Sequence, residues 1–196
     1  MKNLIKIALI TLVFTVVSCS TTEEEKDFKA VSIAKIAEIT PEFSDFSRSL
    51  DSLGLTSTFE NDGDFTVFVP TNDAMLTAAN NLGYAKLDSI FKYPTAKDSL
   101  RDILRYHTIS SRALSTSLTN NQDVTSLYGQ TFKVTIAPVL PADVTYAGET
   151  NKVTLNGNNP SNPTTAEVIA RDVICTNGVI HPVNGVLIPN FSPTGN

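Results

Sequence analysis

Cysteine and histidine are scarce in this sequence. Its 196 residues include two cysteines, Cys19 and Cys175, and two histidines, His107 and His181. Two cysteines are too few for a fold held together by disulfides. The sequence also lacks a His-Glu-x-x-His motif, a Gly-x-Ser-x-Gly motif, a P-loop and a Cys-x-x-Cys pair. We therefore find no sequence signature of catalysis, and we expect neither a cofactor nor a bound metal.

Clustered positive charge is absent too. The chain has a formal net charge of -5 and a pI of about 5.0, and no run of basic residues occurs outside its N-terminus. Binding to phosphate backbones needs clustered Lys and Arg, so the sequence excludes nucleic acid as a partner. With 41% hydrophobic and 18% charged residues, the chain is typical of one globular domain with a real core.

The N-terminus has the layout of an export signal. Lys2 and Lys6 precede an apolar segment over residues 7–17, which is shorter than the roughly 20 residues that span a bilayer. The sequence Val-Val-Ser-Cys at residues 16–19 resembles the bacterial lipobox, which implies cleavage before Cys19 and attachment of a lipid to its sulfur. A plain secretory signal with an incidental cysteine is the alternative.

The sequence divides into four parts on this interpretation. Residues 1–18 are a lipoprotein signal peptide, and residues 19–30, which include Ser-Thr-Thr-Glu-Glu-Glu-Lys, are a solvated tether. Residues 31–190 form a single domain, and residues 191–196 are a tail. We expect the protein to be exported and anchored through its N-terminal lipid to the bacterial envelope, and to the outer membrane in particular.

Helical patterns dominate the first half of the domain. Apolar residues at helical spacing predict a helix from residue 33 that ends at Thr40-Pro41, and a second that Gly54 terminates. Thr71 or Asn72 is predicted to cap a third helix. Thr95 and Asp98 form a Ser/Thr-x-x-acid pair that predicts the start of a fourth, on whose apolar face His107 points inward.

Strand patterns dominate the second half. Residues 65–69 and 152–155 are rich in β-branched or aromatic residues, and residues 131–136 alternate apolar and polar side chains. Asn177-Gly178 lies between the apolar runs 166–175 and 179–180, which predicts a type I′ hairpin at the centre of a sheet, and Asn184-Gly185 repeats the turn signal. Helices followed by strands predict an α+β fold with a largely antiparallel sheet.

Three separated motifs resemble those of fasciclin-like domains. They are FTVFVPTNDAM at residues 65–75, the Tyr106-His107 pair after a leucine-containing helix, and NGVIHPVNGVLIP at residues 177–189. The resemblance covers residues 33–189 and implies a β-sandwich wedge with a helical cluster beside it. Thr71, Asn72, His107, Asn177, Gly178 and His181 would then be structural motif positions. Asn184 stands where the family usually has Asp, and Met75 where it usually has Phe.

The sequence favours structural roles for the two histidines and for Cys175. His107 lies on an apolar helix face and His181 in an apolar strand run, so we expect each to bond to backbone or a hydroxyl in the core. Cys175 lies among apolar residues and is predicted to be a buried thiol. A zinc or catalytic site would have to draw on these few residues.

The resemblance also implies a binding surface. In animal members of the family, integrin adhesion is attributed to an Asp followed by aliphatic residues and to the Tyr-His segment. The matching positions here are Asp172, Val173 and Ile174, with Tyr106 and His107. An exposed carboxylate at Asp172 can meet an arginine or a partner's metal ion. The alternative is that Asp172 is an ordinary solvated surface residue.

The function expected from these observations is cell adhesion or extracellular protein and matrix interaction without catalysis, with an unknown protein or glycan as partner. One alternative is a ligand- or carbohydrate-binding envelope lipoprotein, whose sign is a cluster of exposed tyrosines among Tyr84, Tyr93, Tyr128 and Tyr146. A third alternative is an enzyme, which needs an accessible histidine beside a hydroxyl or carboxylate in a cleft.

Overall fold

The computed structural model describes residues 30–138 and 151–191. The predicted signal peptide, Cys19, the tether up to residue 29, Tyr146 and residues 192–196 lie outside the described residues. Within the described ranges, no helix combines the length and apolar character needed to cross a bilayer.

Helices make up most of the first half of the described domain. The α-helices are α1 (Ile33–Ile39), α2 (Ser44–Leu53), α3 (Thr56–Glu60), α4 (Asn72–Asn81), α5 (Leu87–Ile90) and α6 (Pro94–Tyr106). Short 3₁₀ turns occupy Pro41–Phe43 and Ser115–Ser117. As predicted, α1 stops before Thr40, its C-cap, and α2 stops before Gly54, a C-cap with the left-handed φ of 68°.

The strands form two four-stranded sheets. They are β1 (Phe65–Val67), β2 (Thr108–Ile109), β3 (Gln122–Thr125), β4 (Thr131–Pro138), β5 (Asn151–Gly157), β6 (Thr165–Glu167), β7 (Val173–Cys175) and β8 (Gly178–Ile180). The first sheet has the order β2-β1-β8-β7 and the second β3-β4-β5-β6. Only the β1–β8 pair among these is parallel.

Apolar side chains pack on both faces of the first sheet. On one face, Val67 and Ile180 join helix residues such as Phe46 and Leu50 in a common core. On the other, a second core includes Phe68 and Ile109 together with side chains of the second sheet: Phe132, Val134, Val153 and Leu155. The fold is thus a β-sandwich with a helical cluster on its outer side, which confirms the predicted α+β class.

The predicted hairpin is present, but its turn lies one residue earlier than expected. Cys175 pairs with Gly178, so the central turn residues are Thr176 and Asn177, and neither has positive φ. The type I′ assignment is therefore wrong. Gly178 instead begins β8, where a Cβ would lie 2.1 Å from the Phe65 carbonyl oxygen of the parallel neighbour. Strand β8 lies inside its sheet, whereas β7 lies at the edge.

The apolar run 166–175 contributes a strand to each of the two sheets. Its beginning belongs to β6 in the second sheet and its end to β7 in the first. The second Asn-Gly pair forms no hairpin between regular strands, because Gly185 passes against the β6 backbone, where a Cβ would lie 2.4 Å from the Thr165 carbonyl oxygen. The residue is glycine because the two backbones approach closely there.

The predicted Thr95 and Asp98 capping pair does not cap α6. The helix begins at Pro94 with Tyr93 as N-cap, and no side chain caps it. Asp98 pairs with Arg101 one turn later. Proline at the first helical position has no N–H to cap and has φ already fixed near the helical value, so α6 begins one residue before Thr95.

Candidate functional site

Residues 111–115, here called the crossing segment, run from β2 across the outer part of the first sheet. Buried Thr66 on β1 fixes the start of this segment, because its hydroxyl donates to the Ser111 carbonyl at 2.6 Å and accepts from the Ala113 N–H at 2.7 Å. Arg112 adds an ion pair with Asp64 at 2.8 Å. Side chains of the sheet thus hold an irregular segment in one position.

His181 connects the crossing segment to the sheet. Its Nε2 lies 2.9 Å from the Ala113 carbonyl, and its Nδ1 accepts the Asp172 N–H at 3.2 Å. A carbonyl can only accept and an N–H can only donate, so His181 is neutral with its proton on Nε2. Burial lowers the pKa of His181, although the hydrogen bond to Ala113 opposes this shift. The ring also stacks on Phe68, with centroids 5.4 Å apart.

Asp172 holds the other end of the crossing segment. Its carboxylate accepts the Ser115 N–H at 2.8 Å and also bonds to the Ser115 hydroxyl. Partial burial opposes ionisation, but these two hydrogen bonds, with smaller contributions from His181 and Arg171, outweigh it and lower the pKa of Asp172. Its backbone is left-handed, with φ 57°, which is uncommon for a residue other than glycine. The carboxylate predicted to face a partner is therefore engaged within the domain.

The three candidate residues 172–174 differ in exposure. Val173 packs against the helical core, whereas the side chain of Ile174 is 52% exposed on edge strand β7. Leu114 on the crossing segment is 39% exposed. Ile174 is thus the residue of this motif that presents the most apolar surface to solvent.

Tyr106 and His107 do not lie on this surface. Both side chains are 0% exposed. Tyr106 donates its hydroxyl to the Thr131 carbonyl at 2.7 Å, and its oxygen accepts the Asn158 N–H at 3.1 Å. In the folded domain neither side chain has surface with which to contact a partner, so the Tyr-His pair is a core element joining α6 to the second sheet.

His107 has the opposite tautomer to His181. Its Nδ1 donates to the Ile103 carbonyl at 2.9 Å, and its Nε2 accepts the Leu187 N–H at 3.0 Å. Burial lowers the pKa of His107 from 6.5 to about 4. The expectation that both histidines are core residues bonded to backbone groups is confirmed. Neither offers the accessible imidazole that the enzyme alternative requires.

The other motif residues have structural positions. Thr71 caps α4 by accepting the Ala74 N–H. Asn72 reaches the start of α2, where its side chain accepts the Asp45 N–H at 3.0 Å and donates to the Pro41 carbonyl at 2.9 Å. These bonds connect the start of α4 to the start of α2.

Asn177 joins the hairpin to the helices. Its side chain accepts the Ile33 N–H at 2.9 Å and donates to the Phe59 and Asn61 carbonyls at 2.8 and 2.9 Å. One buried amide thereby supplies an acceptor to the start of α1 and donors to the end of α3. Asn is needed here for its side-chain bonds rather than for a left-handed turn.

Cys175 is buried, and burial raises the pKa of its thiol to about 11, against a smaller opposing influence of Arg112. A thiol with this pKa is a poor nucleophile at neutral pH. Across residues 30–138 and 151–191, no group of three His, Cys, Asp or Glu side chains is placed to hold a metal ion.

Sequence reasoning missed the crossing segment and its anchors Thr66, Arg112 and Ser115. Residues 110–119 are rich in Ser and Thr and carry neither a helical nor a strand period. The buried threonine in an otherwise apolar strand was the available signal, because a buried hydroxyl needs a partner.

The comparisons with known proteins agree on one family. The Fasciclin domain model matches residues 41–189. Protein sll1483 of Synechocystis sp. is 30% identical over 162 residues, which are 82% of this chain and 74% of that protein. Transforming growth factor-beta-induced protein ig-h3 of Oryctolagus cuniculus is 28% identical over 83% of this chain, which spans only 20% of its length.

A solved structure shows the same fold. The FAS1 domain pair from the insect cell adhesion molecule Fasciclin I aligns with 80% of this chain and 50% of its own, with a TM-score of 0.58 and 17% sequence identity. The structural similarity and the match over residues 41–189 agree with the three motifs found in the sequence. This chain therefore belongs to the fasciclin domain family.

Proposed function

We propose that this chain is a lipid-anchored envelope protein whose single fasciclin domain mediates adhesion or another extracellular protein or matrix interaction, without catalysis. The observation that carries the proposal is the family membership itself, together with the fold it shares with an insect cell adhesion molecule. The chemistry of the domain agrees with a binding role, because both histidines and the buried cysteine are committed to the core.

The candidate contact surface is the edge formed by β7 and the crossing segment. Strand β7 pairs only with β8 among the described strands. An edge strand has backbone groups available for pairing with another chain. Ile174 adds exposed apolar area next to them. A protein segment that supplies backbone hydrogen bonds and an apolar side chain fits this edge.

The lipid anchor is proposed from the sequence around Cys19. The chain enters the described domain beside the hairpin, where the Thr176 N–H donates to the Val31 carbonyl at 3.0 Å. A tether of about ten residues reaches at most about 35 Å. The proposed anchor therefore holds the domain close to the envelope surface, which we assign to the outer membrane.

Two assays test these proposals. Mass spectrometry of the purified full-length chain should find a lipid on Cys19, and the Cys19→Ala variant should leave the membrane fraction. Cells of a non-adherent host that display the chain should aggregate or attach to matrix-coated surfaces more than cells carrying the empty vector. Equal attachment of the two cell populations would refute the adhesive function.

A second candidate function is binding of a carbohydrate or another small ligand. Tyr84 and Tyr93 pack together with ring centroids 5.7 Å apart, and Tyr93 is 54% exposed. Exposed aromatic faces are suited to stacking on sugar rings. The other described candidate, Tyr128, instead packs against buried Tyr106. Glycan-array binding that Tyr93→Ala abolishes would favour this alternative.

A further inference from the structure

The crossing segment contacts the β7 region at two points. Ser115 bonds to Asp172 at one end, and the Arg112 guanidinium approaches the Cys175 and Thr176 carbonyls at 3.4 Å at the other. Leu114 on the segment and Ile174 on the strand lie between these two contacts. The shape of the candidate edge thus depends on where the crossing segment is held.

Asp172 is the residue that couples this segment to the sheet interior. Its carboxylate bonds to Ser115, while its backbone N–H donates to Nδ1 of buried His181. The Nε2 of the same ring bonds to the Ala113 carbonyl. Asp172 and His181 therefore contact two points of the crossing segment and each other, in a closed set of hydrogen bonds.

We propose that Asp172 is a positioning residue rather than a partner contact, and that with His181 it forms a pH-sensitive clasp holding the crossing segment against β7. The effect on partner binding rests on the proposed function of this edge, whereas the clasp itself does not. The clasp is closed when His181 is neutral and opens when the ring takes up a proton.

The added proton has only one place to go. Nε2 already carries a proton toward Ala113, so protonation occurs at Nδ1, where the new N–H faces the Asp172 N–H across the 3.2 Å contact. Two donors cannot bond to each other, so the Asp172 N–H loses its acceptor. Left-handed Asp172 then loses one of the contacts that hold it in an unfavourable conformation.

The charges around His181 have opposite effects. The Asp172 carboxylate favours the protonated ring, and Arg171 disfavours it. The crossing segment presents an uncharged carbonyl from Ala113, and the stacked Phe68 has no titratable group. Burial is the largest influence and lowers the pKa of His181 from 6.5, so the closed clasp resists protonation. Opening frees the ring, and acid therefore favours the open form.

The pH dependence follows from linkage. Between the lowered pKa of the closed form and the ordinary value of 6.5, opening takes up one proton. The open population then rises about tenfold for each unit by which the pH falls in that window. Above pH 6.5 the equilibrium between closed and open forms does not change with pH through His181.

Amide hydrogen exchange of the full-length chain, measured by NMR from pH 7.5 to 5, tests the clasp directly. After correction for intrinsic exchange, the Asp172 and Ser115 amides should lose protection together as the pH falls below 6.5, by up to about tenfold per pH unit. The Met75 amide, which bonds to the Thr71 carbonyl in the buried part of α4, is the internal control and reports opening of the whole domain. At every pH in the series, the Asp172 and Ser115 amides should be less protected than the Met75 amide. Constant protection of Asp172 and Ser115, or protection equal to that of Met75 at every pH, would overturn the clasp.

Variants separate positioning from contact. His181→Gln keeps a donor and an acceptor but does not titrate, so protection of Asp172 should become independent of pH. Asp172→Asn keeps an acceptor for Ser115, tolerates the left-handed backbone and should retain the pH response. A His181→Gln variant that still opens with acid contradicts the mechanism. If that variant does not fold, the wild-type measurement decides, because the clasp requires the Asp172 and Ser115 amides to be less protected than the control amide.

Attachment of cells displaying the chain, compared at pH 7.5 and 5.5, tests the link to function. Loss of attachment at the lower pH in wild type but not in His181→Gln supports regulation by the clasp. If the Asp172 and Ser115 amides lose protection in acid but attachment is equal at both pH values, the clasp does not regulate attachment. If those amides lose protection but the chain promotes attachment at neither pH, the clasp is supported and the proposed adhesive function is refuted.

Discussion

Acid should destabilise this domain because its buried histidines are held in the neutral form. His107 donates through Nδ1 and accepts the Leu187 N–H through Nε2. A second proton would be placed on Nε2, where it would face the Leu187 N–H and find no hydrogen-bond acceptor. Burial lowers the pKa of His107 from 6.5 to about 4, while the bond to Ile103 opposes the shift only in part. The unfolded chain, in contrast, takes up the proton near pH 6.5.

The sign and the size of the effect follow from the two pKa values. The contribution of His107 to the free energy of unfolding is complete above pH 6.5 and is lost as the pH falls from 6.5 to about 4. One pKa unit corresponds to about 1.4 kcal/mol, so the full loss is about 3 kcal/mol, of which about 2 kcal/mol is lost by pH 5. His181, whose pKa is also lowered, adds to the loss below pH 6.5.

Urea unfolding at pH 7.5, 6.5, 5.5 and 5.0, followed by circular dichroism, measures this dependence. The wild-type chain should lose stability steadily below pH 6.5, where most carboxylates are still ionised. His107→Gln should be less stable at pH 7.5 but should show a pH dependence smaller by about 2 kcal/mol. A wild-type free energy of unfolding that stays constant from pH 7.5 to 5, or a variant with the full dependence, would refute the reasoning.

Three further predictions concern Gly178, Asn177 and Cys175 in the hairpin. Gly178→Ala places a Cβ 2.1 Å from the Phe65 carbonyl and should lower the free energy of unfolding by about 3 kcal/mol. Gly129→Ala, which has φ 92° and open space, should cost only about 1 kcal/mol, and equal losses would contradict the predicted clash. Asn177→Ala removes three hydrogen bonds and should cost about 2 to 4 kcal/mol in chemical denaturation; a loss below about 0.5 kcal/mol would deny it the bridging role. In a Cys19→Ser chain, Cys175 should react with Ellman's reagent only as fast as the domain opens, and immediate labelling of the native chain at pH 8 would contradict its burial.

Elements with a regular apolar period could be predicted from the sequence. In α2, Phe46, Leu50 and Leu53 recur at helical spacing, and all three are buried, as is Phe43 just before the helix. In β4, Phe132 and Val134 alternate with exposed or half-exposed neighbours as expected. Such patterns are reliable because burial on one face imposes the period of the element on the sequence.

Features that depend on contacts between distant segments could not be predicted. The turn position is set by the parallel pairing of β8 with β1, where only glycine fits at residue 178. The crossing segment is held by Thr66, His181 and Asp172, which lie 45 or more residues away from their partners on it. The residues that the family resemblance suggested for adhesion do not form one surface, because residues 106 and 107 lie in the core and residue 174 lies at a sheet edge. Their relative positions also depend on contacts between distant segments.

The most direct test of the account replaces one exposed isoleucine at a time in the displayed full-length chain. Ile174 on β7 and Ile39 at the end of α1 are exposed to similar extents, 52% and 57%, so Ile39→Lys is a matched control for Ile174→Lys. Lysine is well tolerated both on edge strands and in the last turn of a helix, so both variants should fold. We predict that Ile174→Lys abolishes attachment and that Ile39→Lys preserves it. Attachment that survives Ile174→Lys, or that both changes reduce equally, would contradict the assignment of the contact surface to the β7 edge.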